Sequence, residues 1–211
     1  MDLREVGYDD RDWINLAQDR DRWRAYSHFE VHGHRVSYVR KGSEKVTGAH
    51  LQQAPKYPPK VMFWGCFTHE GPGALIPIKG MKNSDKYIHL LETRIVPQLQ
   101  KSFPDGRDVF QQHLEPCHTS RKTTEFFNKK IIQVLPWPGN SPDINPIENL
   151  WSICKRRMQK MGCSTKEKLI SALIGVWFRD EEMKNICGKL VESMPNRLRA
   201  VIRNKGGHID Y

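Results

Sequence analysis

The segment WPGNSPDINPIENLWSICKRRMQKM, residues 137–161, constrains the fold of this chain more than any other stretch. Prolines crowd its first half, so the backbone turns there and cannot be helical before Asn145. Asn145 suits a helix N-cap, and Pro146 suits the first helical position because no N–H is needed there. Apolar residues then recur at helical spacing: Ile147, Leu150, Trp151, Cys154, Met158 and Met161. The segment therefore predicts an amphipathic helix with one face in a core.

Strands alternate with helices along the rest of the chain. Residues 27–41 alternate apolar and polar side chains around Gly33, as a hairpin does. Residues 61–67 are nearly all apolar, which is typical of a strand covered on both faces. Further strands are predicted at 74–78, 107–112 and 131–135, and helices at 84–102, 119–128, 164–177, 181–191 and 196–204. Pro97 should kink or shorten the helix at 84–102, and Ser164 is the predicted cap of the helix at 164–177. This alternation predicts an α/β domain.

Several spaced motifs accompany the opening segment. They are VMFWGCF at 61–67, GMKNSDKYIHLL from Gly80, VFQQ and PCHTS between 109 and 120, SPDINPIENLW from Ser141, and the basic amphipathic C-terminal helices. In this order they resemble the DDE transposases of the Tc/mariner superfamily, over residues 27–211. The resemblance implies a ribonuclease-H-like fold, which is a mixed sheet with helices on both faces, here followed by a helical C-terminal extension. It also implies DNA cleavage and integration by two-metal phosphoryl transfer.

Glu148 is the third residue of the predicted helix and allows two interpretations. On the local pattern it is a capping-box carboxylate that reaches back to the Asn145 N–H. On the resemblance it is the third acidic residue of the family, a catalytic residue and metal ligand. Members of the family hold two Mg²⁺ or Mn²⁺ ions with three carboxylates, and hard oxygen ligands suit these ions.

The chain departs from the family at the other two carboxylate positions. The family has Asp directly after the Gln-Gln pair, where this chain has His113, with 34 residues between it and Glu148. The first Asp of the family falls two residues before Ser27, where this chain has Ala25. A histidine nitrogen suits Zn²⁺ or Cu²⁺ better than Mg²⁺. We therefore expect poor Mg²⁺ binding and no detectable cleavage by this copy.

One alternative would preserve activity. Glu115 lies two residues beyond His113, on the same face if the strand continued, and could supply the missing second carboxylate. Pro116 argues against that continuation. The family usually has Asn-Ala at these two positions, whereas this chain has Leu114 and Glu115.

The net charge of +10 is unevenly placed. Residues 151–211 hold thirteen Lys and Arg against six Asp and Glu, a surplus of +7. Such a surplus favours a polyanionic partner, and with the resemblance it predicts binding to double-stranded DNA. Lys155, Arg156 and Arg157 are the candidate phosphate contacts, although a solvated helix face explains them equally well. In the family a helix-turn-helix region reads the transposon ends, and none is recognised here, so we expect DNA binding without sequence preference. The resemblance also implies a nuclear location and allows a homodimer.

Residues 1–26 differ from the rest of the chain, with seven acidic and five basic side chains. Their AQDRDRW segment resembles the C-terminal tail of non-LTR retrotransposon reverse transcriptases. We therefore predict an appended fragment at 1–26, at most a short helix, and the transposase domain at 27–211. The apolar half-strand expected before Ser27 is missing, so an incomplete first strand is predicted.

The remaining features narrow the class of protein. The five cysteines include no CxxC pair, which predicts reduced thiols and argues against a zinc site. No apolar run approaches the ~18 residues that a membrane span needs, and no secretory signal is recognised, so a soluble intracellular protein is expected. His118, Trp64 and Trp151 are interpreted as packing residues.

The sequence thus predicts a truncated and decayed Tc/mariner transposase catalytic domain. Two rival hypotheses stay open. One is a non-catalytic DNA- or protein-binding module derived from a transposase, and the other is a nuclease that remains active through Glu115.

Overall fold

The computed structural model describes residues 23–32, 59–80, 83–102, 109–112, 114–139, 141–161 and 163–211, with the backbone alone at 23–32, 101, 102 and 160. The strands are β1 (Trp23–His32), β2 (Lys60–Thr68), β3 (Gly71–Ile78), β4 (Val109–Gln112) and β5 (Gln133–Val134). The α-helices are α1 (Ser84–Leu90), α2 (Val96–Ser102), α3 (Pro116–Thr119), α4 (Arg121–Lys130), α5 (Pro146–Met158), α6 (Lys166–Arg179), α7 (Met183–Glu192) and α8 (Met194–Arg203).

The five strands form one mixed sheet in the order β3-β2-β1-β4-β5. The pairs β2/β3 and β1/β2 are antiparallel, whereas β1/β4 and β4/β5 are parallel. β1 is therefore the central strand, and Ala25 pairs with Phe67 on one side and with Gln111 on the other. The predicted mixed sheet is confirmed.

Strand β2 is buried on both faces, as its apolar sequence predicts. Phe63 and Phe67 pack into the larger core, which the C-terminal helices α5–α8 complete. Trp64 and Cys66 point the other way, into a smaller core with residues of α1, α2 and α4. Since successive side chains of a strand face opposite ways, one nearly continuous apolar run supplies both cores. The sheet thus carries helices on both faces.

The helix predicted at 84–102 is interrupted. α1 ends at Leu90, a π-helical turn covers Leu91–Ile95, and α2 begins at Val96. Pro97 has no N–H to donate to a preceding turn and crowds the carbonyl four residues back, so the wider turn lies where an α-helical bond would fail. The predicted distortion at Pro97 is confirmed.

The C-terminal helical extension is also present. α7 and α8 each begin and end within two residues of the predicted ranges. The cap of α6 is Thr165 rather than the predicted Ser164, because the Thr165 hydroxyl accepts the Lys168 N–H at 3.2 Å. In the described part of the chain, no helix combines the length and the apolar character that crossing a membrane requires.

The start of the sheet lies across the predicted domain boundary. β1 begins at Trp23, so residues 23–26 belong to the same strand as residues 27–32. Residues 1–22 and 33–41, with the appended fragment and the second half of the predicted hairpin, lie outside the described residues. Two residues of β1 precede Ala25, and this position therefore lies inside the central strand rather than at its end.

Candidate active site

Glu148 lies in the first turn of α5, as the sequence predicts, but the capping box is not formed. The Asn145 side chain makes no hydrogen bond to the helix end. The Asn145 N–H, which the Glu148 carboxylate would accept in a capping box, donates to the Pro142 carbonyl at 3.2 Å. Glu148 is half-buried, and its own carbonyl accepts a hydrogen bond from the Ser152 hydroxyl at 3.0 Å. The half of the predicted capping box that the Asn145 side chain would supply is therefore absent.

The Asn145 side chain points to the sheet instead. Gln111 Nε2 donates a hydrogen bond to Asn145 Oδ1 at 3.2 Å, and both side chains are buried. Gln111 lies on β4 beside Ala25 in the parallel register of β1 and β4. This bond fixes the start of α5 over the two central strands. It thus holds the turn before Glu148 against the strand that leads to position 113.

The three positions that the family resemblance assigns to carboxylates lie on elements that meet. Ala25 is on β1, β4 ends at Gln112 directly before position 113, and α5, with Glu148, packs against β1. His113 itself lies outside the described residues. Of these three positions, Glu148 alone has a carboxylate in the sequence.

Arg197 anchors the turn before Glu148 from the opposite side. Its guanidinium donates to the Asp143 carbonyl at 2.9 Å, to Asn149 Oδ1 at 2.9 Å and to the Ser193 hydroxyl at 2.8 Å. It also lies over the Tyr211 ring, 4.6 Å from its centroid. Burial lowers the pKa of Arg197 to about 10, so it remains a cation at neutral pH. A single Arg thereby ties α8 and the C-terminus to the segment that carries Glu148.

Sequence reasoning missed this role of Arg197. The signal was present, because α8 has Met194, Leu198 and Val201 on its buried face and Arg197 falls among them. An Arg on an apolar helix face is rarely buried unless its donors are matched. The matching acceptors lie 48 and 54 residues away in the chain, however, so the pattern of α8 alone could not identify them.

The other face of β4 is fixed through Gln112. The Tyr87 hydroxyl donates to Gln112 Oε1 at 2.7 Å, and Gln112 Nε2 donates to the His118 carbonyl at 3.3 Å. The Tyr87 and His118 rings stack with their centroids 4.1 Å apart. Burial raises the pKa of Tyr87, with smaller contributions from Cys117 and Glu115, so the phenol stays a neutral donor. His118 is buried and packs against a ring, which agrees with its predicted packing role.

Glu115 does not extend the strand. β4 ends at Gln112, and Glu115 is the N-cap residue of α3, with Pro116 at its first position. The Glu115 carboxylate lies 3.8 Å from His118 Nε2. Glu115 therefore turns to the α3 side, and this placement does not support its use as the second carboxylate.

The three candidate phosphate contacts lie on different faces of α5. Lys155 follows Glu148 by seven residues, so it is on the same face about 10.5 Å further along the helix axis. Lys155 and Arg156 are exposed. Arg157 faces away from Glu148 and binds Asp180 and, at 2.7 Å, Glu182. Two carboxylates therefore already match the charge of Arg157.

The tryptophans predicted to pack do so. Trp64 and Trp151 are 0% and 1% exposed, which excludes base stacking by either ring in this conformation. Trp151 stacks on Trp177 with a centroid separation of 4.8 Å, and Trp177 Nε1 donates to the Gly73 carbonyl at 2.9 Å. The pair packs α5 and α6 onto β2 and β3.

Comparison with known proteins identifies the family. The family model described as DDE superfamily endonuclease matches residues 23–170. This chain belongs to that family. The Transposable element Tc1 transposase of Caenorhabditis elegans is 35% identical to this DDE endonuclease domain over 151 residues, 72% of this chain and 54% of that protein. The Transposable element Tc3 transposase of the same organism is 36% identical over 156 residues, 72% of this chain and 46% of that protein. The chain thus spans about half the length of these Tc/mariner relatives.

Solved structures show the same fold. The Mos1 transposase paired-end complex with left transposon end matches all of this DDE domain and 65% of its own chain, with a TM-score of 0.77 and 16% identity. The catalytic domain of Mos1 mariner transposase matches with a TM-score of 0.70 and 16% identity over all of this chain and 98% of that domain. Mos1 paired-end complexes have been solved with Mg and with Mn. This chain therefore has the ribonuclease-H-like fold of a Tc/mariner catalytic domain.

Proposed function

We propose that this chain is a Tc/mariner transposase catalytic domain that has lost two-metal DNA cleavage and keeps non-specific binding to duplex DNA. One observation carries the proposal. Position 25 is part of the central strand β1 and pairs with Gln111 on β4, yet the residue there is Ala. This pairing supports the proposal that the chain lacks the first of the three carboxylates that the resemblance implies.

The donor set does not fit a pair of Mg²⁺ ions. Ala25 has no donor atom, and His113 has nitrogen donors where Mg²⁺ needs oxygen. Glu148 contributes one negative charge, where the family uses three carboxylates to offset two divalent ions. Glu115 supplies no substitute, because its carboxylate lies beside His118. We therefore expect no metal-dependent phosphodiester cleavage by this chain.

Basic side chains near Glu148 support binding to DNA. Lys155 and Arg156 are exposed on α5, and Lys155 shares the face of Glu148. Exposed Lys and Arg on α5–α8 contribute most of the surplus of +7 between residues 151 and 211. Phosphate contacts of this kind position a duplex without reading its sequence. Arg157 contributes least, because binding a phosphate would compete with Asp180 and Glu182. A nuclear location and a homodimer remain predictions from the resemblance.

The salt dependence of binding tests this part of the proposal. Fluorescence anisotropy of the full chain with labelled duplexes of unrelated sequence should give equal affinities and a negative slope of log affinity against log salt. Lys155→Ala should reduce that slope by about one unit if it removes one phosphate contact. Lys122→Ala is the matched control, because Lys122 lies on α4 at the other face of the sheet, paired with Asp85 at 2.9 Å.

Two results would contradict the binding proposal. A slope near zero would mean that the basic surface does not bind phosphate, and it would favour the rival hypothesis of a protein-binding module. A strong preference for one duplex would mean that the domain reads base edges.

A further inference from the structure

Glu115, Cys117 and His118 form a compact cluster of potential metal ligands at the start of α3. One carboxylate oxygen, the Cys117 sulfur and one imidazole nitrogen all lie within 4.8 Å of one another. Glu115 Oε2 and His118 Nε2 are separated by 3.8 Å. The cluster lies on the Tyr87 side of β4, away from the Asn145 contact that holds Glu148.

We propose that these three residues bind one divalent transition-metal ion of the zinc class. Bonds of 2.0–2.3 Å in tetrahedral geometry place ligand atoms about 3.3–3.8 Å apart. Glu115 Oε2 and His118 Nε2, now 3.8 Å apart, need to approach by about 0.5 Å to reach the ~3.3–3.5 Å of an oxygen and a nitrogen ligand. Because the three ligand atoms lie within 4.8 Å of one another, the Cys117 sulfur needs to move by about 1.3 Å or less. Three protein ligands leave a fourth position for water, as in open zinc sites.

The ligand types select the metal. A thiolate and an imidazole are soft and borderline donors that suit Zn²⁺, Co²⁺ or Cu²⁺, and they disfavour Mg²⁺, which requires oxygen ligands. The site would therefore not restore the two-metal chemistry that the family resemblance implies. Metal binding at this cluster is also independent of DNA binding, since none of the three residues belongs to the basic surface of α5–α8.

The backbone that carries two of the ligands is held from both sides. The Cys117 carbonyl accepts a hydrogen bond from the Thr123 hydroxyl at 2.7 Å, and the His118 carbonyl accepts one from Gln112 Nε2 at 3.3 Å. The Tyr87 ring stacks on the imidazole and fixes its plane. Such supporting contacts orient ligands before a metal binds. Cys117 and His118 are 8% and 2% exposed, whereas Glu115 is half-exposed, so the ion would enter from the Glu115 side.

No sequence pattern predicted a metal site at these three residues. Paired cysteines are the usual signal of zinc binding, and the chain has none, so the sequence argued against zinc. Here all three ligands come from one turn, in which the N-cap residue Glu115 lies close to the neighbouring residues Cys117 and His118. The feature that distinguishes this chain is Glu115, at a position where the family resemblance implies Ala.

Cobalt substitution tests the proposal directly. The full chain, reduced and freed of metal, is titrated with Co²⁺ and followed by the thiolate-to-metal charge-transfer absorption, and Zn²⁺ should then displace Co²⁺. We expect one equivalent of Co²⁺, loss of the charge-transfer band in Cys117→Ser, and an affinity for Zn²⁺ lower by about tenfold or more in Glu115→Ala. Zn²⁺ should raise the melting temperature of the parent chain and not that of Cys117→Ser.

Matched controls separate this site from other thiols and carboxylates. Cys163→Ser removes another buried thiol outside the cluster, and Glu125→Ala removes an exposed carboxylate on α4; both should keep the band and the affinity. Circular dichroism of each variant establishes that it is folded. The proposal is overturned if the parent chain shows no charge-transfer band, if Cys117→Ser keeps it, or if Cys163→Ser loses it equally.

Discussion

Gln111 Nε2 donates to Asn145 Oδ1 across 3.2 Å, and this bond joins strand β4 to the turn that carries Glu148. The two residues are 34 positions apart, and both are almost fully buried. A buried amide pair of this kind is stabilising only while both partners are present. The geometry of the Glu148 turn therefore depends on Gln111, a residue of strand β4.

A double-mutant cycle measures that dependence. Gln111→Leu and Asn145→Leu should each lower the free energy of unfolding by about 1–3 kcal/mol, because each leaves a buried polar partner. The double variant should recover part of the loss, giving a coupling of about 0.5–3 kcal/mol in urea unfolding. Gln133→Leu, at an exposed position of β5, is the control. Strictly additive effects would mean that the bond does not link β4 to the turn.

The turn at Glu148 shows which structural features local sequence patterns can predict and which they cannot. Pro146 and the apolar spacing after it predicted the start and the buried face of α5 correctly, because a helix start and an amphipathic face are local properties. The placement of Met161 on that face was wrong, because α5 ends at Met158 and Met161 lies in a 3-10 turn and is 52% exposed. The capping box at Asn145 was wrong, because the Asn145 side chain meets Gln111, a partner that only the folded sheet brings near. Arg157 similarly binds Asp180 and Glu182, which lie in the connection between α6 and α7. Local patterns thus located the elements, and tertiary contacts decided which groups the polar side chains bind.

The resemblance supplied what local patterns could not. The family order of motifs predicted the mixed sheet with helices on both faces, an architecture that strand periodicity alone does not specify. It did not reveal Arg197 or the cluster at Glu115, because both depend on side chains particular to the folded chain. The positions of His113 and of residues 1–22 stay predictions.

Gly65 is required by the packing of α5 on β2. A Cβ added there would overlap the Trp151 ring and lie 2.8 Å from Trp151 Cζ2. Gly65→Ala should therefore lower the free energy of unfolding by about 1–3 kcal/mol, as overpacking does. Gly175→Ala is the matched control, since a Cβ there meets no atom within 4 Å. In the middle of α6 it should stabilise by about 0.5–1 kcal/mol. Equal melting temperatures for the two variants would contradict this account.

The Arg197 anchor should not tolerate a conservative change. Arg197→Lys keeps the charge but cannot reach Asp143, Asn149 and Ser193 together, because Lys lacks the planar fork. We expect a loss of about 1.5–3 kcal/mol in the free energy of unfolding. Arg199→Lys, exposed on the same helix, should change it by less than about 0.5 kcal/mol. A destabilisation of the same size at both positions would show that the fork geometry is irrelevant.

Thiol reactivity should follow burial. Burial raises the pKa of Cys154 and of Cys187 to about 12, so about one thiol in ten thousand is ionised at pH 8 in the folded chain. The pKa of Cys163 is also raised by burial, but its surroundings are more open and Lys168 partly offsets the effect. Iodoacetamide at pH 8 should modify Cys163 before Cys154 and Cys187, as mass spectrometry of peptides would show. Faster modification of Cys154 would place that thiol outside the core.

Restoring one carboxylate should not restore cleavage. His113→Asp returns the second acidic residue, but Ala25 on β1 still provides no ligand beside Gln111. We expect no Mg²⁺-dependent nicking by this variant, because two carboxylates do not hold the metal pair. Nicking by His113→Asp alone would mean that another residue already fills the first position.

Metal-dependent nicking of supercoiled plasmid by the unaltered chain, measured beside Glu148→Gln, tests the central claim most directly. Glu148→Gln removes the remaining carboxylate of the three positions while keeping the size of the side chain. The account predicts the same background rate for both proteins in Mg²⁺ and in Mn²⁺, with no thermal shift caused by Mg²⁺ in either. Nicking by the unaltered chain that requires Mg²⁺ or Mn²⁺ and is lost in Glu148→Gln would contradict it, since it would show a working two-metal site.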